Sequence, residues 1–129
     1  MMENYLVFDM GGSSIKYGIL NGNGDILNNS SFKTPATLDE LYSKILEIKN
    51  NCEKYNICGV ALSCPGAVNS DIGTIDGVSA IPYIHGPNLK TDLESLLNVN
   101  YSPLIEVGAS WEVVAFVSQL YLPSSTASS

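Results

Sequence analysis

Residues 5–20 read YLVFDMGGSSIKYGIL. An apolar run from Tyr5 to Met10 carries a single acid, Asp9, into Gly11-Gly12 and the hydroxyls that follow. Alternation then resumes around Lys16, with Ile15, Tyr17 and Ile19 on one face. A short apolar run is the mark of a buried strand, and alternation that of a half-buried one. The two strands predict a hairpin closed at Gly11-Gly12. A carboxylate at a strand end costs stability if buried alone, but it is worth keeping where it faces a cation. Magnesium prefers oxygen ligands and retains waters, so one aspartate can hold it beside phosphates. Glycines at the turn allow positive φ and close backbone approach. Their N–H groups and the Ser13 hydroxyl then suit an anion-binding nest. The plain alternative is an ordinary hairpin with Asp9 at its rim.

Outward from the hairpin, NGNGD at 21–25 is a strong turn signal, and ILNNSSFKT returns as a third strand. The period then changes. Leu38, Leu41, Tyr42, Ile45, Ile48 and Cys52 share one helical face, and Thr37 with Glu40 has the spacing of a capping box. ICGVALSCPGAV at 57–68 reads as another buried strand entering a Pro-Gly loop. Residues 69–90 are loop-rich, with a short strand or hairpin near GTID. A second helix is expected at about 91–98, with Thr91 and Glu94 repeating the capping pattern. SPLIEVG then reads as a strand. Residues 110–121 fit either helix or strand, because Trp111, Val114 and Ala115 suit one and the valines the other. The tail PSSTASS, at residues 123–129, reads as disordered.

The elements run in β-β-β-α-β-α order, continued by a further strand and residues 110–121. An antiparallel meander followed by right-handed crossovers gives an α/β fold with a mixed sheet. Ligands of such sheets gather at the carboxyl ends of the strands, where the segments after Met10 and after Cys64 are expected.

The chain has 129 residues, enough for one domain, and a formal net charge of -7 that leaves no basic footprint for nucleic acid. No apolar stretch reaches membrane-spanning length, and no leader is legible ahead of Asp9. Cys52, Cys58 and Cys64 lack metal-ligand spacing and read as reduced thiols, which points to the cytoplasm. Other phosphate motifs fail: there is no G-x-x-x-x-G-K-[ST], and Gly22 with Gly24 opens no helix.

FDMGGSSIKYGIL resembles the first phosphate motif of the ROK family (repressors, open reading frames and sugar kinases), D-x-G-G-[TS]-x-x-K. GVALSCPGAV resembles that family's strand and loop G-[IV]-x-[IV]-S-x-P-G-x-V, and GTIDGVSAIPYIHGPNLKTDLESLL its approach to the sugar-side helix. The resemblance spans residues 4–98. It implies the N-terminal lobe of a ribonuclease H-like, actin-like ATPase fold, occupying residues 1–122. It implies a sugar kinase using ATP and magnesium, with a hexose or related sugar as small-molecule partner. Oligomeric state is not legible, and a homodimer is compatible with it. By the match, Asp9, Gly11, Gly12, Ser13 and Lys16 would hold phosphate and Asp9 the metal. Gly66, Ala67 and Ser79 would face the sugar. Plainer readings stand beside these: Lys16 as an outward lysine, Pro65-Gly66 as a strand-ending turn, His85 as a surface-loop histidine.

The resemblance stops after the second helix. The family's catalytic aspartate, in an E-N-D sequence, corresponds here to Gly108, with Val107 for the asparagine and Glu106 retained. Ala80 stands where many members carry a sugar-contacting asparagine. No catalytic base is therefore assigned. The departure, and the serine-rich end, read as a truncated or frameshifted fragment without activity, with a genuine one-lobe protein and a misaligned last third as alternatives. A non-catalytic sugar- or phosphate-binding module is the rival function. A ROK-type repressor is disfavoured, because only Met1 to Asn4 precede the first strand.

Overall fold

The computed structural model describes residues 3–64, 67–69, 74–76, 80–98 and 103–108. β1 (Asn4–Met10), β2 (Ser14–Asn21) and β3 (Ile26–Lys33) form the meander. Helix α1 (Leu38–Asn51) follows, then β4 (Ile57–Ser63). A small hairpin of β5 (Ala67–Asn69) and β6 (Thr74–Asp76) lies after it. Helix α2 (Leu89–Leu97) leads to β7 (Leu104–Gly108). The main sheet has five strands in the order β3-β2-β1-β4-β7. β1, β4 and β7 are parallel, and β2 runs antiparallel to both of its neighbours, so that β3 shares the direction of β1.

The β1–β2 turn joins neighbours directly, whereas parallel β1, β4 and β7 need crossovers, and α1 and α2 supply them. Leu6, Phe8, Met10, Ile15 and Ile19 meet Leu41, Ile45, Ile48, Leu89, Leu93 and Leu97 in one buried cluster. The expected helical face of α1 is therefore the one buried, with Leu38 and Tyr42 half-exposed at its margin. Tyr42 donates to Asp92 Oδ2 at 2.6 Å and ties α1 to α2.

The caps differ in detail from the pattern. Thr37 Oγ1 accepts from the Glu40 N–H at 3.2 Å, as expected, but Glu40 returns its bond to Ala36 rather than to Thr37. α2 starts at Leu89, ahead of the expected 91, because Asn88 is the cap and accepts from the Thr91 N–H at 3.0 Å. In NGNGD, Asn21 Oδ1 accepts from the Asn23 and Asp25 N–H groups, and Gly24 has φ of 86°. An asparagine that folds back on its own backbone stabilises such a turn. β4 ends at Ser63, ahead of the expected Pro-Gly loop, and β5 begins at Ala67. Residues 110–121 and 123–129 lie outside the described residues. Among the described residues no helix is long and apolar enough to cross a membrane.

Candidate functional site

Parallel pairing decides what stands beside Asp9. Its Cα lies opposite Lys16 on β2 and opposite Ser63 on β4, and Ser63 in turn lies opposite Gly108 on β7. Side chains at directly paired positions share a face of the sheet. Lys16, Asp9, Ser63 and Gly108 therefore form one row along the carboxyl edge, facing away from α1 and α2. Asp9 and Lys16 are exposed, while Ser63 and Gly108 are buried. No ion pair joins Asp9 to Lys16 among the described residues, so both charges remain available to a ligand. The Asp9 carboxylate is felt by Cys64: burial pushes that thiol up to about 12, and Asp9 adds to the push. Cys64 is consequently an inert thiol.

The hairpin turn is built for close approach rather than for unusual dihedrals. The expected positive φ at Gly11 and Gly12 is absent; among the described glycines it occurs at Gly24 and Gly86. The constraint is steric instead. A Cβ on Gly11 would fall 2.6 Å from the Ser14 carbonyl oxygen, and one on Gly12 would fall 2.6 Å from the Ala80 Cβ. The segment bearing Ala80 thus presses directly on the turn. That segment continues into a 3₁₀ turn, Pro82–Ile84. Tyr83 pins it by donating to the Pro35 carbonyl at 2.7 Å.

Thr34 closes the other side of the turn. Its hydroxyl donates to the Gly11 carbonyl at 2.6 Å, and its N–H to the Ser13 carbonyl at 3.1 Å. Among the described residues, the N–H groups of Gly11, Gly12 and Ser13 have no acceptor. Gly12 and Ser13 are exposed. Exposed N–H donors, the hydroxyl of exposed Ser13 and a nearby lysine make a surface complementary to an anion.

Sequence reasoning brought Asp9, Gly11, Gly12, Ser13 and Lys16 together, and the structure holds them in one turn and its flanking strands. Ala67 opens β5 with its Cα opposite Asp76, while Gly66 and Ser79 lie outside the described residues. Thr34 and the Ala80 contact were missed. His85 lies in the loop after the 3₁₀ turn, half-buried, with Nδ1 3.2 Å from the Ile75 carbonyl.

A five-stranded mixed sheet in the order β3-β2-β1-β4-β7, with α1 and α2 as its crossovers, is the N-terminal lobe of the actin-like ATPase fold. The family is narrower than that class. The ROK family model matches residues 5–115, and the chain belongs to the ROK family. A ROK family protein from Streptococcus pneumoniae TIGR4, solved in complex with sucrose, is similar with TM-score 0.68 and 32% identity, over 95% of this chain and 39% of that one. A ROK family glucokinase from Streptomyces griseus in complex with glucose and AMPPNP shares the fold at TM-score 0.71 and 21% identity, over 92% of this chain and 36% of that one. A ROK family transcriptional regulator, a homolog of the E. coli MLC protein, shares it at TM-score 0.70 and 16% identity, over 92% of this chain and 31% of that one. The chain thus spans well under half the length of these structures. No curated protein matches it.

Proposed function

We propose that this chain is the phosphate-holding lobe of an ATP-dependent sugar kinase, whose acceptor is a hydroxyl of a hexose or related sugar. The observation that carries the reading is the contact of Gly12 with Ala80. It supports the reading because the glycine turn lies against Ala80, in the segment that the family resemblance assigns to the sugar side. Phosphoryl transfer depends mostly on positioning and on charge stabilisation, and both halves of that task meet at this contact. Gly11, Gly12 and Ser13 offer N–H groups and a hydroxyl to phosphate, and Lys16 offers a positive charge. Gly66, Ala67 and Ser79 face the sugar in this reading.

Magnesium fits the residues present in a limited way. Among the described residues there is no group of three or more His, Cys, Asp or Glu side chains to cage a metal. Asp9 is an exposed hard-oxygen donor, suited to a cation that keeps waters and phosphate oxygens as its other ligands. Such a cation would neutralise charge on the transferring group.

Gly108 sets the limit on catalysis. It stands in the same sheet row as Asp9, two strands away, or roughly 10 Å, and it has no side chain to take the acceptor's proton. Glu106 is two residues back along β7, roughly 6.7 Å. Its Oε1 accepts from the Val107 N–H at 3.1 Å. A missing base alone forfeits about 10²–10⁴ in rate. We therefore assign to these residues the binding of phosphate without its transfer, which is also the property of a non-catalytic binding module. The test uses the 129-residue chain in calorimetric titration with magnesium ATP and in a coupled ADP-release assay with hexoses and β-glucosides. Binding should be lost in Asp9→Ala, with no sugar-dependent ADP release. Sugar-dependent turnover that Asp9→Ala abolishes would assign the base to Glu106 or another acid. Binding unchanged in Asp9→Ala would remove the phosphate site.

A further inference from the structure

We infer that Thr34 is a positioning residue that aims the backbone donors of the turn at the ligand, a role that rests on the phosphate reading above. The peptide group is planar and trans, so the carbonyl of one residue and the N–H of the next point in opposite directions. The Thr34 hydroxyl holds the Gly11 carbonyl at 2.6 Å. The Gly12 N–H belongs to the same peptide plane and is thereby turned away from Thr34, toward the exposed side of the turn. There it has no acceptor among the described residues. The Thr34 N–H fixes the far end of the turn through the Ser13 carbonyl at 3.1 Å. Without the hydroxyl, the Gly11–Gly12 peptide is free to rotate, and the donor is no longer fixed in advance.

Two further contacts make Thr34 a rigid reference point. It directly follows β3, whose Lys33 pairs with Ser14 at the start of β2. The next residue, Pro35, accepts from the Tyr83 hydroxyl at 2.7 Å. The pair Thr34-Pro35 therefore straps the phosphate turn to the segment carrying Ala80. Fixing a donor before the ligand arrives removes an ordering cost from binding.

The test is a titration of the ¹⁵N-labelled chain with magnesium tripolyphosphate, followed at the Gly12 and Ser13 amide resonances. Thr34→Val keeps the shape and the N–H but deletes the hydroxyl; Thr34→Ser keeps the hydroxyl. In the unsubstituted chain both amides should shift saturably. Thr34→Val should bind about five- to tenfold more weakly, as the loss of one fixed donor implies, and Thr34→Ser should recover to within about twofold. Melting temperatures and the dispersion of β1 and β4 resonances show that each variant is folded. A Thr34→Val that melts lower yet binds as tightly would make Thr34 structural only and overturn the inference, leaving the phosphate site intact. A Thr34→Val defect that Thr34→Ser does not relieve would also overturn it. An unsubstituted chain whose Gly12 amide does not respond overturns the phosphate reading itself, and the role of Thr34 with it.

Discussion

Replacing Gly12 by alanine should destabilise the fold, and replacing Ala80 by glycine in the same chain should relieve it. The added Cβ falls 2.6 Å from the Ala80 Cβ, while the next atoms, Ala80 Cα and O, lie at 3.9 and 4.0 Å. Carbon atoms rest about 3.5–4.0 Å apart, so the two segments must separate by about 1 Å. Gly12 does not have positive φ, and the cost is therefore steric rather than conformational. Overpacking of this kind typically costs about 1–3 kcal/mol. Ala80 is exposed and can retreat outward, but Tyr83 restrains its segment through Pro35, which places the expected loss at about 1–2 kcal/mol. Ala80→Gly alone should cost at most about 0.5–1 kcal/mol. The double variant then has only contacts at 3.9 Å or beyond, and a coupling of about 1 kcal/mol should emerge from the cycle. Urea unfolding followed by far-UV circular dichroism measures all four chains. A neutral Gly12→Ala, or a double variant no more stable than the sum of the singles implies, would refute the packing of the Ala80 segment on the Gly11-Gly12 turn.

Two other outcomes follow from buried polar groups. The Cys64 thiol holds its proton more tightly in the folded state, its ordinary value of 9.0 being raised to about 12 by burial and then by Asp9. The stability this contributes is complete below pH 9.0 and is lost as pH rises toward about 12, at roughly 1.4 kcal/mol per pH unit. The burial of Tyr42 and its bond to Asp92 act in the same direction. Urea unfolding across that range should show the decline, and Cys64→Ala should flatten part of it; an unchanged slope in the variant would mean that Cys64 is not the titrating group. Tyr42→Phe removes the 2.6 Å bond to Asp92 and should cost about 1–2 kcal/mol in the same assay. Combination with Asp92→Asn should add little, and full additivity would show that the two side chains do not interact.

Much of this fold was legible because its signals are local. The alternation around Lys16 predicted β2, and the apolar face of residues 38–52 predicted α1. Thr37 announced the start of that helix, because a cap bonds a backbone group three residues away. The start of α2 was misplaced, because Asn88 competes with Thr91 as a cap and only the path of the chain out of the preceding turn selects between them. The end of β4 at Ser63 was legible because Pro65-Gly66 follows it in the sequence.

Sequence alone determined that a carboxylate, two glycines, a serine and a lysine would share one hairpin, since a hairpin's neighbours are also neighbours in the chain. Tertiary structure decided what the glycines are for. Gly12 is small because Ala80 arrives from a distant segment, and Gly11 because the turn folds against its own Ser14 carbonyl. It also decided that Ser63 and Gly108 stand in the row of Asp9, a matter of strand register. Thr34 is the clearest case: its hydroxyl can bond any nearby acceptor, and no periodicity marks which one. Only the return of β3 beside β2 brings it to the Gly11 carbonyl. Hydrogen-bond direction and register belong to the packed sheet, and local sequence pattern carries neither.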